Sequence, residues 1–67
     1  MKINNEFNFG DIVYLKTDID QKPRIVMAME IYLEGEILYK VGCGTLHSYH
    51  YALELSRDRD ILLTQIN

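Results

Sequence analysis

Apolar and polar residues alternate along most of this chain with a period of two, the spacing of a pleated strand with one buried face. The first run covers residues 11–16. Val13 and Leu15 share one face and are assigned to the core; Ile12, Tyr14 and Lys16 share the other. Residues 17–23 read as a loop, because Asp18 and Asp20 are turn formers and Pro23 interrupts a ladder. The longest run, residues 24–33, places Ile25, Met27, Met29, Ile31 and Leu33 on one face, assigned to the core, and Val26, Ala28, Glu30 and Tyr32 on the other. Its Met, Ala, Glu and Leu are helix formers, but the alternation and the β-branched residues decide for strand. Ten extended residues span roughly 33 Å, so a bend or bulge is expected within the run.

Glu34-Gly35 marks a tight hairpin turn. The returning strand, residues 36–43, alternates Ile37, Tyr39, Val41 and Cys43, and Gly42-Cys43-Gly44 is expected to break it with a bulge or sharp bend. Residues 49–55 alternate again, with Tyr49, Tyr51, Leu53 and Leu55 facing the core against His50, Ala52 and Glu54. Residues 56–60 form a polar turn, alternatively one helical turn capped by Ser56. Residues 61–66 supply a final short strand. Five short strands with turns between them predict an all-β fold: a small, strongly bent antiparallel five-stranded barrel, closed by pairing of its first and last strands. It is expected to be one domain over residues 1–67.

The segment Phe9-Gly10-Asp11-Ile12-Val13-Tyr14-Leu15-Lys16 resembles the Gly-Asp-x-Val-x-Leu-Lys opening of many SH3-like small barrels, in which the valine and leucine are buried. The layout that follows is also similar: a polar loop, a proline, a long apolar strand, a tight hairpin and an aromatic strand. It resembles small uncharacterised proteins of phages, prophages and bacterial mobile elements. The resemblance implies an SH3-like barrel and carries over no site residue, because those proteins have no agreed site.

The chain's 67 residues leave no room for a dinucleotide-binding fold, an eight-unit βα barrel or a kinase core. The single cysteine, Cys43, excludes an intramolecular disulfide framework, and with no apolar run of signal-peptide or membrane-helix length a cytoplasmic protein is expected. A net charge of −3 argues against a broad phosphate-binding or membrane-binding surface.

Cys43, His47 and His50 are metal-ligand types within eight positions, but a structural zinc needs a fourth ligand that no spacing marks out. Small buried cysteines and loop histidines explain them more simply, and a Cys/His nucleophile pair lacks room for a substrate groove. Asp18 and Asp20 lack the remaining ligands of a calcium loop. The alternating charges Arg57, Asp58, Arg59 and Asp60 read as a solvated turn. Five tyrosines are the most unusual feature of the composition. Tyrosine joins a large contact area to a polar tip and is enriched in interface cores.

The expectation is a non-enzymatic interaction module with no cofactor, binding a protein partner or a second copy of itself. Its face carries Tyr14, Lys16, Glu30 and Tyr32. Nucleic-acid binding through stacked tyrosines is the alternative.

Overall fold

A computed structural model describes residues 5–60. Its strands are β1 (Ile12–Leu15), β2 (Arg24–Ile31), β3 (Ile37–Cys43), β4 (Leu46–Tyr51) and β5 (Leu55–Ser56), with a 3-10 turn at Ala52–Glu54. All neighbouring strands are antiparallel, in the order β4-β3-β2-β1-β5. The all-β, five-stranded expectation holds. Among the described residues the sheet is not closed: β4 and β5 stand at its opposite edges. β5 is only two residues long and pairs with β1 through Tyr14↔Ser56 and Leu15↔Leu55. The expected strand 61–66 lies outside the described residues.

The β2–β3 hairpin forms where Glu34-Gly35 placed it. Gly35 N–H donates to the Tyr32 carbonyl at 2.9 Å, and Tyr32 N–H to the Glu36 carbonyl at 2.8 Å. Gly35 sits at φ +94°, a left-handed backbone that glycine adopts without a Cβ penalty. The next hairpin corrects the expected break. β3 runs straight through Gly42 to Cys43, and Gly44-Thr45 alone turns the chain, so that Leu46 already faces Cys43. The aromatic strand therefore begins at Leu46 and ends at Tyr51, not at residues 49–55. The one-helical-turn alternative for residues 56–60 is also displaced. The 3-10 turn comes earlier, where the Glu54 carboxylate accepts the Tyr51 N–H at 3.1 Å. Ser56 instead ties to Asp58, accepting its N–H at 3.1 Å and donating to its carbonyl at 3.0 Å.

The core consists of Phe7, Val13, Val26, Ile37, Tyr39, Val41 and Leu55, with Leu15, Met29 and Ala52 packed against it. Phe7 meets Tyr39 edge-on at 5.4 Å. The Tyr39 hydroxyl accepts the Glu6 N–H at 2.9 Å, which satisfies the polar tip of a buried ring. The guanidinium of Arg57 lies 4.9 Å over Phe7 and donates to Asp11 at 3.1 Å and to the Glu6 carbonyl. Arg57 is thus not merely part of a solvated turn; it fastens the segment before β1 to the segment after β5.

The expected bulge in β2 exists, and it reverses the assignment of faces around it. Register passes from Val26↔Val41 to Ala28↔Lys40, so Met27 is the extra residue. Val26 is buried before the bulge and Met29 faces inward after it, whereas Ile25 and Met27 face out. Ile31 pairs with Ile37 but stays half exposed, and Leu33 projects from the hairpin tip. Both faces of this strand read as apolar, so alternation alone does not choose between them. Pairing with the amphipathic β3 does.

Candidate functional site

Residues paired across an antiparallel sheet point to the same face. The outer face, turned away from the core, therefore carries three rows. His47, Gly42, Ile25 and Ile12 form the first; Tyr49, Lys40 and Ala28 the second; Tyr51, Leu38 and Glu30 the third. Met27 fills the gap at the bulge. Its thioether lies over Gly42, and a Cβ at Gly42 would run into Met27 Sδ and stand 3.2 Å from His47 Cδ2. A side chain at position 42 is absent so that Met27 can lie flat against the strand, the close-approach role of glycine within a sheet. Ile25 (49%), Met27 (47%), Tyr49 (48%) and Tyr51 (44%) are each about half exposed. Together they make an apolar and aromatic surface, with Lys40 among them, of the kind that marks interaction sites.

The hairpin end of this face is acidic. The Tyr32 hydroxyl donates to Glu30 at 2.7 Å, and Glu34 and Glu36 are exposed beside it. Holding its proton against the Glu30 carboxylate raises the phenol of Tyr32 above its ordinary value; partial desolvation and the nearby charge of Glu36 act in the same sense. Tyr32 therefore acts as a neutral hydroxyl donor. Lys40, in the middle row, is the one Lys or Arg among the residues of the three rows.

The four residues assigned from sequence to one face do not come together. Glu30 and Tyr32 join the acidic end of the outer face. Tyr14 and Lys16 belong to the far end of the sheet, since Ile12 opposes Ile25 and Tyr14 extends beyond the start of β2. The separation along the strand direction is on the order of 20 Å. Lys16 instead lines a concavity of about 410 Å3 with Gln21, Ser56, Asp58, Arg59 and Asp60. Tyr49 and Tyr51, like Ile25 and Met27, are assigned to the core from sequence and lie instead on the outer face, and Leu53, assigned with them, is exposed. The two-residue loop at Gly44-Thr45 shifts the strand and puts both tyrosines on the outer face. Gly42, a glycine amid strand residues, was the available signal that something lies close against that face.

Cys43, His47 and His50 also stay apart. His47 is on the outer face and His50 on the inner, and His50 opposes Tyr39, four residues of β3 from Cys43, or roughly 13 Å. Among the described residues no group of three His, Cys, Asp or Glu side chains is placed to hold a metal ion. Asp18 spends its carboxylate on its own loop. One oxygen accepts the Asp20 N–H at 3.1 Å; the other accepts the Lys22 N–H at 3.0 Å and meets Arg24 at 3.4 Å. These donors, the Lys22 amide foremost, hold its acidity below the usual aspartate value against the opposing effect of desolvation.

His50 joins a chain of hydrogen bonds in the order of a hydrolytic triad. Its Nε2 lies 2.7 Å from Ser48 Oγ and its Nδ1 3.0 Å from Glu54 Oε1. The second Glu54 oxygen holds the Tyr51 N–H, and His50 with that amide lowers the Glu54 carboxyl below its ordinary value. The arrangement clamps the 3-10 turn onto β4. Neither the concavity at Lys16 nor a second one beside Phe9 is lined by Ser48 or His50. The second, of about 440 Å3, is lined by Asn5, Asn8, Phe9, Met29 and Ile31. No family model matches the chain, and no curated protein or solved structure matches it.

Proposed function

We propose that this protein is a small, non-enzymatic interaction module whose outer face on β2, β3 and β4 docks a protein partner. The observation that carries the reading is the half-exposed surface of Tyr49, Tyr51, Met27 and Ile25 with glutamates at one end. Its chemistry fits a partner with apolar side chains at the centre of its contact and basic groups facing Glu30, Glu34 and Glu36. An SH3-like barrel is the finer fold reading. It is supported by the Phe9-to-Lys16 opening, the bulged long second strand and the pairing of β1 with both β2 and β5. The lone Cys43 supports a reducing, cytoplasmic setting, and no helix among the described residues is long and apolar enough to cross a membrane.

The second reading, a nucleic acid stacked on the tyrosines, draws on Lys40, which lies opposite Tyr49 in the ladder. The acidic hairpin end and the net charge of −3 weigh against it.

The test is a photo-crosslinking residue at Tyr49, followed by identification of the crosslinked species and binding by Tyr49→Ser/Tyr51→Ser. A protein partner lost on the double substitution, with thermal stability unchanged, supports the reading. Undiminished binding by the double variant, or loss of binding by Tyr14→Ser instead, overturns the choice of face. A nucleic-acid adduct whose affinity falls steeply with salt establishes the second reading in its place.

A further inference from the structure

The edge of β4 offers an inference independent of the outer face. Two observations fix which of its backbone groups point outward. First, the Tyr51 N–H goes to the Glu54 side chain and not to β3, so Tyr51 faces the edge, and alternation puts Tyr49 and His47 there as well. Second, Val26 directs its N–H to Asp11 and its carbonyl to the Gly10 N–H, away from β3. Val41, opposite Val26, must then bond β4 through Ser48. Both routes place the amides and carbonyls of His47 and Tyr49 on the outside, and among the described residues no backbone partner accepts or donates to them.

Among the described residues, the stretch of this edge from His47 to Tyr49 lacks the usual protection. β4 is six residues long and carries no Lys, Arg, Asp, Glu or Pro. Protected edges are short, charged, bulged or interrupted by proline. The edge is also self-complementary. When two copies meet across a two-fold axis at Ser48, each His47 opposes the other copy's Tyr49. Both residues of each pair have outward N–H and C=O groups, so two closely bonded pairs, four hydrogen bonds in all, form at once. The molecule's net negative charge, which would oppose association elsewhere, has no carboxylate on this strand. Arg57 and the short β5 leave the opposite edge without an equivalent stretch.

We infer that the protein forms a two-fold dimer by antiparallel pairing of β4 with β4 of a second copy, centred on Ser48. The dimer runs one sheet through both copies and leaves the outer face open.

The test combines solution mass with residue-resolved amide exchange over a dilution series of the full chain. The mass should double from 7.9 kDa as concentration rises. The His47 and Tyr49 amides should gain protection with dimerisation, while those of Ser48 and His50 remain protected throughout. Tyr49→Pro removes an outward N–H without breaking the β3–β4 ladder and should be a folded monomer. Tyr49→Ser keeps that amide and should still dimerise, even where it abolishes partner binding at the face. If Tyr49→Pro does not fold, His47→Lys/Tyr49→Lys places two like charges on each copy's edge and should be monomeric. A monomer at millimolar concentration overturns the inference. So do a dimer in which the His47 and Tyr49 amides exchange freely, protection of these amides at every dilution, and a folded Tyr49→Pro that still dimerises.

Discussion

Gln21 provides the sharpest test of how this small domain is held together. It is 2% exposed and adopts φ +48°, a left-handed backbone rare for a residue with a long side chain. Its amide nitrogen donates to the Leu15 carbonyl at 2.8 Å and to the Asp18 carbonyl at 2.7 Å. Its amide oxygen accepts the Asp60 N–H at 2.8 Å. One side chain thus joins the end of β1, the 17–23 loop and the segment after β5. Each hydrogen bond contributes a net 0.5–1.5 kcal/mol or so, and Gln21→Ala removes three, a loss of about 3 kcal/mol. A chain of 67 residues has on the order of 3–10 kcal/mol in total, so this substitution consumes a third or more. Gln21→Gly loses the same three bonds but relieves left-handed strain of about 1–2 kcal/mol. Greater freedom of glycine in the unfolded chain takes back about 0.4–1 kcal/mol. The glycine variant should therefore be more stable than the alanine variant by roughly 0.5–1 kcal/mol, the reverse of the ordinary order. Urea titration reads both effects: with a slope near 1 kcal/mol per molar, the alanine midpoint falls by about 3 M. An alanine variant within about 0.5 kcal/mol of the parent, or more stable than the glycine variant, refutes the reasoning.

Two further predictions address the outer face and the response to acid. Gly42→Ala forces Met27 off the strand and should cost about 1 kcal/mol, with most of that cost absent in the Met27→Ala background. A purely additive double-mutant cycle would show that the two side chains do not meet. Asp11, Asp18 and Glu54 are each more acidic folded than their ordinary values of 3.8, 3.8 and 4.5. The folded state binds fewer protons, so their contribution is complete above these values and is lost as pH falls through the lowered ones. The urea midpoint should be level near neutrality and drop below about pH 4.5, with a shallower drop for Asp18→Asn. An acid limb unchanged by that substitution would remove Asp18 as a source of the effect.

Some of this structure was legible from the residues alone. Val13 and Leu15 face the core because β1 is half-buried and only one of its faces meets other elements. Ile37, Tyr39 and Val41 alternate with Leu38, Lys40 and Gly42, and the charge of Lys40 and the bare backbone of Gly42 mark the second face of β3 as the outer one. The hairpin at Glu34-Gly35 follows from glycine's access to positive φ. Glu30 and Tyr32 were correctly placed in solvent, on the side of β2 opposite Met29.

What the sequence left open is governed by partners distant along the chain. β2 is apolar on both faces, so its orientation was decided by β3 and by the extra residue at Met27, which exchanges inside for outside halfway along. Tyr49 and Tyr51 alternate as convincingly as core residues do. Their exposure follows from the two-residue turn at Gly44-Thr45, because a shift of one residue in register moves every side chain to the other face. Gln21 reads as an ordinary polar loop residue; only the approach of Leu15, Asp18 and Asp60 makes its burial favourable. Local chemistry set where this chain extends and where it turns. Which apolar side each strand conceals, and which it leaves for a partner, was settled only when the strands paired, because burial is a property of the assembled sheet.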